Sequence, residues 1–172
     1  MSAQWAFVDE SKEKKYTMVA TIIPGVHLVK TRKAMRALLA PAQTRIHFKN
    51  ESPQRRRKIL AAISVLNHQN LYALSSRPKN KDARNECLES LIPALIRLGV
   101  TKIVFEADES LVHAERRYLT AVISELPEGS DLLFEHLLPK QEPCLWIPDA
   151  VAWSLQRGRE WSRKVAVLRV PG

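Results

Sequence analysis

Glycine is scarce in this sequence, with five residues in 172. It contains no GxGxxG run and no GxxxxGK followed by Ser or Thr, so a glycine-rich loop that cradles a nucleotide has no candidate. Cysteine is scarcer still. Cys87 and Cys144 stand far apart, which excludes a disulfide framework and any zinc-ligand spacing. A reduced, cytoplasmic protein is therefore expected. No run of about 18 apolar residues occurs, so no membrane-spanning helix and no membrane partner is expected. The first fifteen residues lack the basic and apolar regions of a secretory signal. What remains is ordinary for a globular chain: 45% hydrophobic and 26% charged residues. A chain of this size buries roughly 70% of its unfolded surface and can build its own core. The expected organisation is one domain over residues 1–158, followed by a basic strand or tail over residues 159–172.

Acidic residues are in the minority. There are 27 Lys and Arg against 18 Asp and Glu, a net charge of +9 and a pI of about 9.8. The excess is uneven: residues 1–60 carry a net +9, residues 61–156 a net −4 and residues 157–172 a net +4. Basic ends around an acidic middle form the electrostatic footprint of a phosphate-backbone partner, DNA or RNA.

Strands and helices alternate along the chain. Residues 5–8 form a short apolar run that reads as a buried strand stopping at Asp9-Glu10. Tyr16 to Ile23 is rich in β-branched residues and reads as its hairpin partner, broken by Pro24-Gly25. Residues 26–29 suggest a short third strand and 30–40 a helix. Arg45 to Lys49 reads as an alternating strand. Ser52-Pro53 opens a helix to about Leu66. A strand follows over 70–76, then a helix capped by Asp82, kinked at Pro93 and ended by Gly99. Further expectations are a strand over 102–105, a helix over 111–123, a strand over 131–138 and a helix opened by Pro148. Hairpin first and alternation after it argue for a mixed α/β sheet with helices on its faces.

The informative carboxylates fall at element ends. Asp9 and Glu10 close the first strand, Glu106 closes another, and Asp149 lies in the first turn of the last long helix. Strand ends border the crevice where α/β proteins bind ligands. Carboxylates converging there repel one another unless a cation neutralises them, and Mg²⁺ or Mn²⁺ suits such an oxygen shell. Each residue also suits a plainer role: Asp149 favours the positive end of a helix dipole, and Asp9-Glu10-Ser11 can simply open a hairpin loop. Spacing leaves both readings open.

Four segments taken together add a resemblance: FVDES, RIHFKNES, KIVFEADES and LWIPDAVAWSLQRG. In order and spacing they resemble an uncharacterised bacterial domain-of-unknown-function family, the one numbered 3800, placed in the RNase H-like superfamily. The resemblance spans residues 5 to 157. It implies an RNase H-like α/β fold and a metal-dependent nuclease that hydrolyses phosphodiester bonds by a two-metal-ion mechanism. Carried over residue by residue, it implies Asp9, Glu106 and Asp149 as catalytic metal ligands, with Glu10 as the adjoining acid and Mg²⁺ or Mn²⁺ as cofactor. Lys12 stands where the family has Gly, and Pro148 where it has Ala. The alternative is a catalytically inactive nucleic-acid- or partner-binding domain of the same fold.

Arg55, Arg56, Arg57 and Lys58 occupy the first turns of their helix, where positive charge opposes the macrodipole by about 0.3–1 kcal/mol per residue. An anionic partner would offset that cost, so these four join Lys49, Arg77, Lys79 and Lys81 as candidate nucleic-acid contacts. His47 alternates with Lys49 and is a candidate base or phosphate contact. Trp153 reads as core, and Trp161 as a ring able to stack on a base.

Overall fold

The computed structural model describes residues 3–127 and 131–170. Its centre is a six-stranded mixed sheet in the order β5-β4-β1-β2-β3-β6. The strands are β1 (Gln4–Ser11), β2 (Tyr16–Pro24), β3 (Gln69–Ser75), β4 (Val100–Glu106), β5 (Leu133–Leu137) and β6 (Leu168–Arg169). β1 and β2 form the expected hairpin, and β3 extends it antiparallel. β4 lies parallel to β1, and β5 parallel to β4. β6 pairs with β3, so the basic C-terminal segment ends on the sheet; its positions 171–172 lie outside the described residues.

Alternation along the strands feeds two cores. Ala6, Val8, Met18, Ala20 and Ile22 face α3 (Asn80–Arg97) and α4 (Val112–Ser124). Phe7, Val19, Ile23 and Val104 face α1 (Leu28–Arg36), α2 (Pro53–Ser64), α5 (Trp146–Leu155) and α6 (Arg159–Ser162). With both faces covered, β1 and β2 read as near-continuous apolar runs. No helix among the described residues is long and apolar enough to cross a membrane.

Four local expectations are corrected. Residues 26–29 are no strand: a 3₁₀ turn over Gly25–His27 leads directly into α1. Residues 45–49 are no strand either. Burial does alternate there, with Ile46 and Phe48 fully buried, but the Phe48 N–H is taken by Asp149. Arg56 takes the Phe48 and Lys49 carbonyls, so side chains satisfy the backbone that a ladder would have used. Asp82 sits inside the first turn of α3 rather than at its cap, which is Lys79, and the helix continues through Pro93 to Arg97. Pro148 is likewise inside the first turn of α5, which begins at Trp146 behind a 3₁₀ turn capped by the Glu142 side chain.

α5 does more than cover the sheet. At its end, buried Gln156 reaches back to the β1–β2 turn. Its Nε2 donates to the Lys15 carbonyl at 2.7 Å and to Thr17 Oγ1 at 2.6 Å, while its Oε1 accepts the Lys14 N–H at 3.0 Å. One amide therefore fixes the turn that follows Asp9 and Glu10. Replacing Gln156 with Ala removes these bonds from an exposed turn and from buried Thr17 and should cost about 1–2 kcal/mol. Urea denaturation measures that loss, and the Lys14 amide should exchange faster with solvent.

Candidate active site at the carboxyl ends of the parallel strands

β1, β4 and β5 run parallel, so their carboxyl ends share one edge of the sheet. The pairing of Val8 with Phe105 sets Asp9 beside Glu106. Phe7 and Val104 share one core, so Asp9 and Glu106, two residues further on, point to that same face. α5 packs over this face and brings Asp149 in its first turn. Asp9, Glu106 and Asp149 thus lie on one side of the sheet.

They sit in an acidic, poorly solvated setting. Asp9 is 6% exposed, and its Oδ1 accepts the Glu10 N–H at 2.8 Å. Burial, followed by the charges of Asp149, Glu106 and Glu10, pushes the Asp9 carboxyl well above the usual range. Burial pushes Asp149 up to about 6, against the pull of the Phe48 N–H, bonded to its Oδ2 at 2.9 Å, and of Arg45. The Arg45 Nη1 stands 3.6 Å from Glu106 Oε1. Beside Asp149 a cleft of about 350 Å³ opens, bounded also by Glu10, Lys12, Glu13, His47 and Lys49. Burial and then the charges of Arg45 and Lys49 lower the His47 imidazole, which keeps it neutral at neutral pH.

Glu10 goes the other way. Following Ala6 and Val8, it points to the opposite face, where its Oε2 accepts from Arg84 Nη1 at 2.9 Å. Arg84 also pairs with Glu115, which in turn bonds His136. Burial alone would raise the Glu115 carboxyl, but His136 and Arg84 outweigh it and hold it below its ordinary value. This chain of charges, together with Glu106 itself, lines a second cleft of about 410 Å³.

The basic candidates divide by partner. Arg55 pairs with Glu51 at 3.3 Å, Arg57 with Glu160 at 3.2 Å and Arg77 with Glu86 at 2.6 Å. Arg56 gives its fork to two backbone carbonyls and lies 4.2 Å from the centre of the Trp153 ring. Lys49, Lys58, Lys79 and Lys81 are exposed. Lys49 flanks the carboxylates, whereas Lys79 and Lys81 stand at the start of α3 on the other face. Trp161 is buried against Trp153, edge to face at 5.4 Å, so the expectation that it offers a ring to a base is corrected. Sequence reasoning missed Arg45, although its alternation with His47 and Lys49 was the signal. It also missed His136 and Gln156, whose partners lie too far away in sequence to leave one. Arg84, which extends the basic segment of Arg77, Lys79 and Lys81 and reads as a phosphate contact, is instead tied to Glu10 and Glu115.

The donor set offered by Asp9, Glu106 and Asp149 is all carboxylate oxygen, which suits Mg²⁺ or Mn²⁺, and the raised Asp9 marks negative charge that a cation would relieve. Among the described residues, however, no group of three or more His, Cys, Asp or Glu side chains is arranged so that it could hold a metal ion.

No family model and no curated protein matches the chain in sequence. Solved structures match its fold. It is similar to the structure of the PCNA:RNase HII complex from Archaeoglobus fulgidus, with a TM-score of 0.56 and 19% identity over 92% of this chain and 74% of that one. Ribonuclease H2 from Pyrococcus horikoshii OT3 gives 0.54 and 15% identity, covering 87% and 70% respectively. Bst-RNase HIII in complex with Mn²⁺ gives 0.50 and 13%, covering 88% of this chain and 51% of that one. The fold is RNase H-like.

The raised carboxyls carry a stability signature. Asp9 and Asp149 bind protons more tightly folded than unfolded, and for Asp149, pushed up to about 6, the folded protein holds an extra proton between about pH 4 and 6. Stability then falls as pH rises through that window. The metal-free protein should melt lower at pH 7.5 than at pH 5, with Asp149 accounting for about 1.4 kcal/mol. In thermal melts across this range, Asp149→Asn should flatten the dependence.

Proposed function

We propose that this chain is a metal-dependent nuclease that hydrolyses phosphodiester bonds, and a member of the uncharacterised family numbered 3800. The observation that supports the reading is the placement of Asp9, Glu106 and Asp149 on one face at the carboxyl end of β1 and β4, close enough for Asp149 and Glu106 to raise Asp9, within an RNase H-like fold. These three residues would hold Mg²⁺ or Mn²⁺, with Asp9 fixed in place by the central strand. Bound there, the ions would supply an activated water and neutralise charge at the leaving oxygen. A fold neighbour, Bst-RNase HIII, has a structure in complex with Mn²⁺, which agrees with that cofactor.

The chain's own groups supply the rest. Lys49 stands exposed beside the carboxylates and attracts the phosphate backbone. His47, kept neutral, has a ring nitrogen that can accept a proton or a phosphate hydrogen bond, depending on its tautomer. The Phe48 N–H holds Asp149 in place. Glu10 is tied to Arg84 and fixes the strand end from the opposite side.

A second reading has its own support. Because the carboxylates do not stand in a metal-holding arrangement, a nucleic-acid-binding domain that keeps the fold without catalysis is the alternative. Cleavage assays with Mg²⁺ or Mn²⁺ on single- and double-stranded DNA, single-stranded RNA and RNA–DNA hybrid separate the two. Asp9→Asn and Asp149→Asn should each lower the rate on the order of 100-fold or more with the fold intact by circular dichroism. Variants that cleave like the parent would remove the nuclease reading. Salt-dependent binding without cleavage by the parent would leave the binding domain. In either case, neutralising exposed Lys49 or Lys58 should reduce the salt slope of binding by about 1 per residue, read by fluorescence anisotropy.

A further inference from the structure

We propose that the cleft between α3 and α4 binds a nucleotide, with the phosphate at its cationic rim and the base against Tyr118. This site stands apart from the metal-site reading, because neither Asp9, Glu106 nor Asp149 lines it.

The cleft measures about 550 Å³, within the range of small-ligand sites. Its cations come from three parts of the chain: Lys12 from the β1–β2 turn, Lys81 from α3 and Arg117 from α4. All three are exposed, and Lys81 and Arg117 have no ion pair among the described residues. The contact of Lys12 with Glu10 is stretched to 4.0 Å. Two carboxylates also border the cleft, Glu10 and Glu115, and Arg84 already holds both. An anion entering here meets positive charge from three sides and no uncommitted acid.

Deeper in, one donor lacks an acceptor. Tyr16 is 6% exposed, and its hydroxyl accepts from Arg84 Nη1 at 3.3 Å. Burial and then the Glu10 charge push this phenol up, so its proton stays. That proton has no acceptor among the described residues, and a buried donor left unpaired is costly. A phosphate oxygen in the cleft would accept it. The rest of the wall suits a flat ring. Tyr118 is fixed at its tip, where its hydroxyl donates to Glu89 Oε1 at 3.0 Å and lies 3.3 Å from the Asn85 carbonyl. Leu111, 42% exposed, adds apolar surface, and the Asn80 and Asn85 side chains offer amide donors and acceptors. Bare phosphate would leave the apolar wall uncovered, and a bare nucleoside would leave the cations and the Tyr16 proton unanswered. A phosphate joined to a base meets both.

Calorimetric titration of the full-length protein with the common ribonucleoside 5′-monophosphates, in EDTA, tests the site without metal or activity. At least one should bind, about tenfold more tightly than inorganic phosphate or its own nucleoside, as a stacked base would add. Lys81→Gln combined with Arg117→Gln should weaken that binding about tenfold. Tyr16→Phe keeps the ring and should weaken it about fivefold, with circular dichroism unchanged. Lys49→Gln, which alters the cleft beside Asp149, should leave it unchanged. A short single-stranded oligonucleotide separates two sources of the same ligand. Oligonucleotide binding that falls in the Lys81/Arg117 double variant assigns the cleft to a nucleotide of a strand, and binding indifferent to that variant assigns it to a free nucleotide. The proposal is overturned if no monophosphate binds, if binding survives the double variant, or if it is lost in Lys49→Gln. Inorganic phosphate that binds as tightly as the nucleotide overturns the base contact and with it the assignment. None of these outcomes bears on cleavage at the carboxylate site.

Discussion

A carboxyl group buried at the end of the central strand is the constraint around which this molecule is arranged. Asp9 lies under α5, beside two other acids, in surroundings that disfavour its charge. Nothing in local preference recommends that placement. It persists because β1 is paired on both sides, packed on both faces and braced at its turn by Gln156. The strain of one group is borne by the most heavily supported strand in the sheet, as expected where a site demands an unfavourable arrangement.

The alternation of that strand divides two acids that are neighbours in sequence. Asp9 enters the face shared with Glu106 and Asp149, while Glu10 enters the other and is neutralised by Arg84. The two clefts beside this strand end therefore differ in chemistry. The smaller one sets Asp149 among Lys12, His47 and Lys49. The other holds Glu106 with Arg84, and Glu115 and His136 complete its charge balance. A buried ion network of this kind contributes little net stability, and its value lies in fixing geometry. Here it fixes the end of β1.

Much of the sheet was legible in the sequence because its signals are local. β1, β2 and β4 announce themselves as apolar or β-branched runs, and Asp9, Glu106 and Asp149 fall at recognisable element ends. The segment 45–49 shows where legibility stops. Its alternation was real, but a strand needs a ladder, and the partners of this backbone are Asp149 and Arg56 side chains. Arg45 escaped for the same reason: its importance comes from Glu106, contributed by a distant strand. The basic run 55–58 read as a uniform cationic face, yet three of its members have partners supplied by the fold and only Lys58 stands simply exposed.

The order in which the site's parts occur along the chain has a consequence for synthesis. Asp9 leaves the ribosome with the first strand, and Glu106 follows with the fourth. Asp149 and Gln156 come only with α5, after the fifth strand. Until α5 emerges, the sheet lacks the helix that covers Phe7 and Val19, the brace on its first turn and the third carboxylate. A nascent chain therefore cannot assemble the site piecemeal while still attached and incomplete. Core closure and site formation become one late event, so a chain that stalls before α5 is made exposes apolar surface and carries no finished carboxylate cluster.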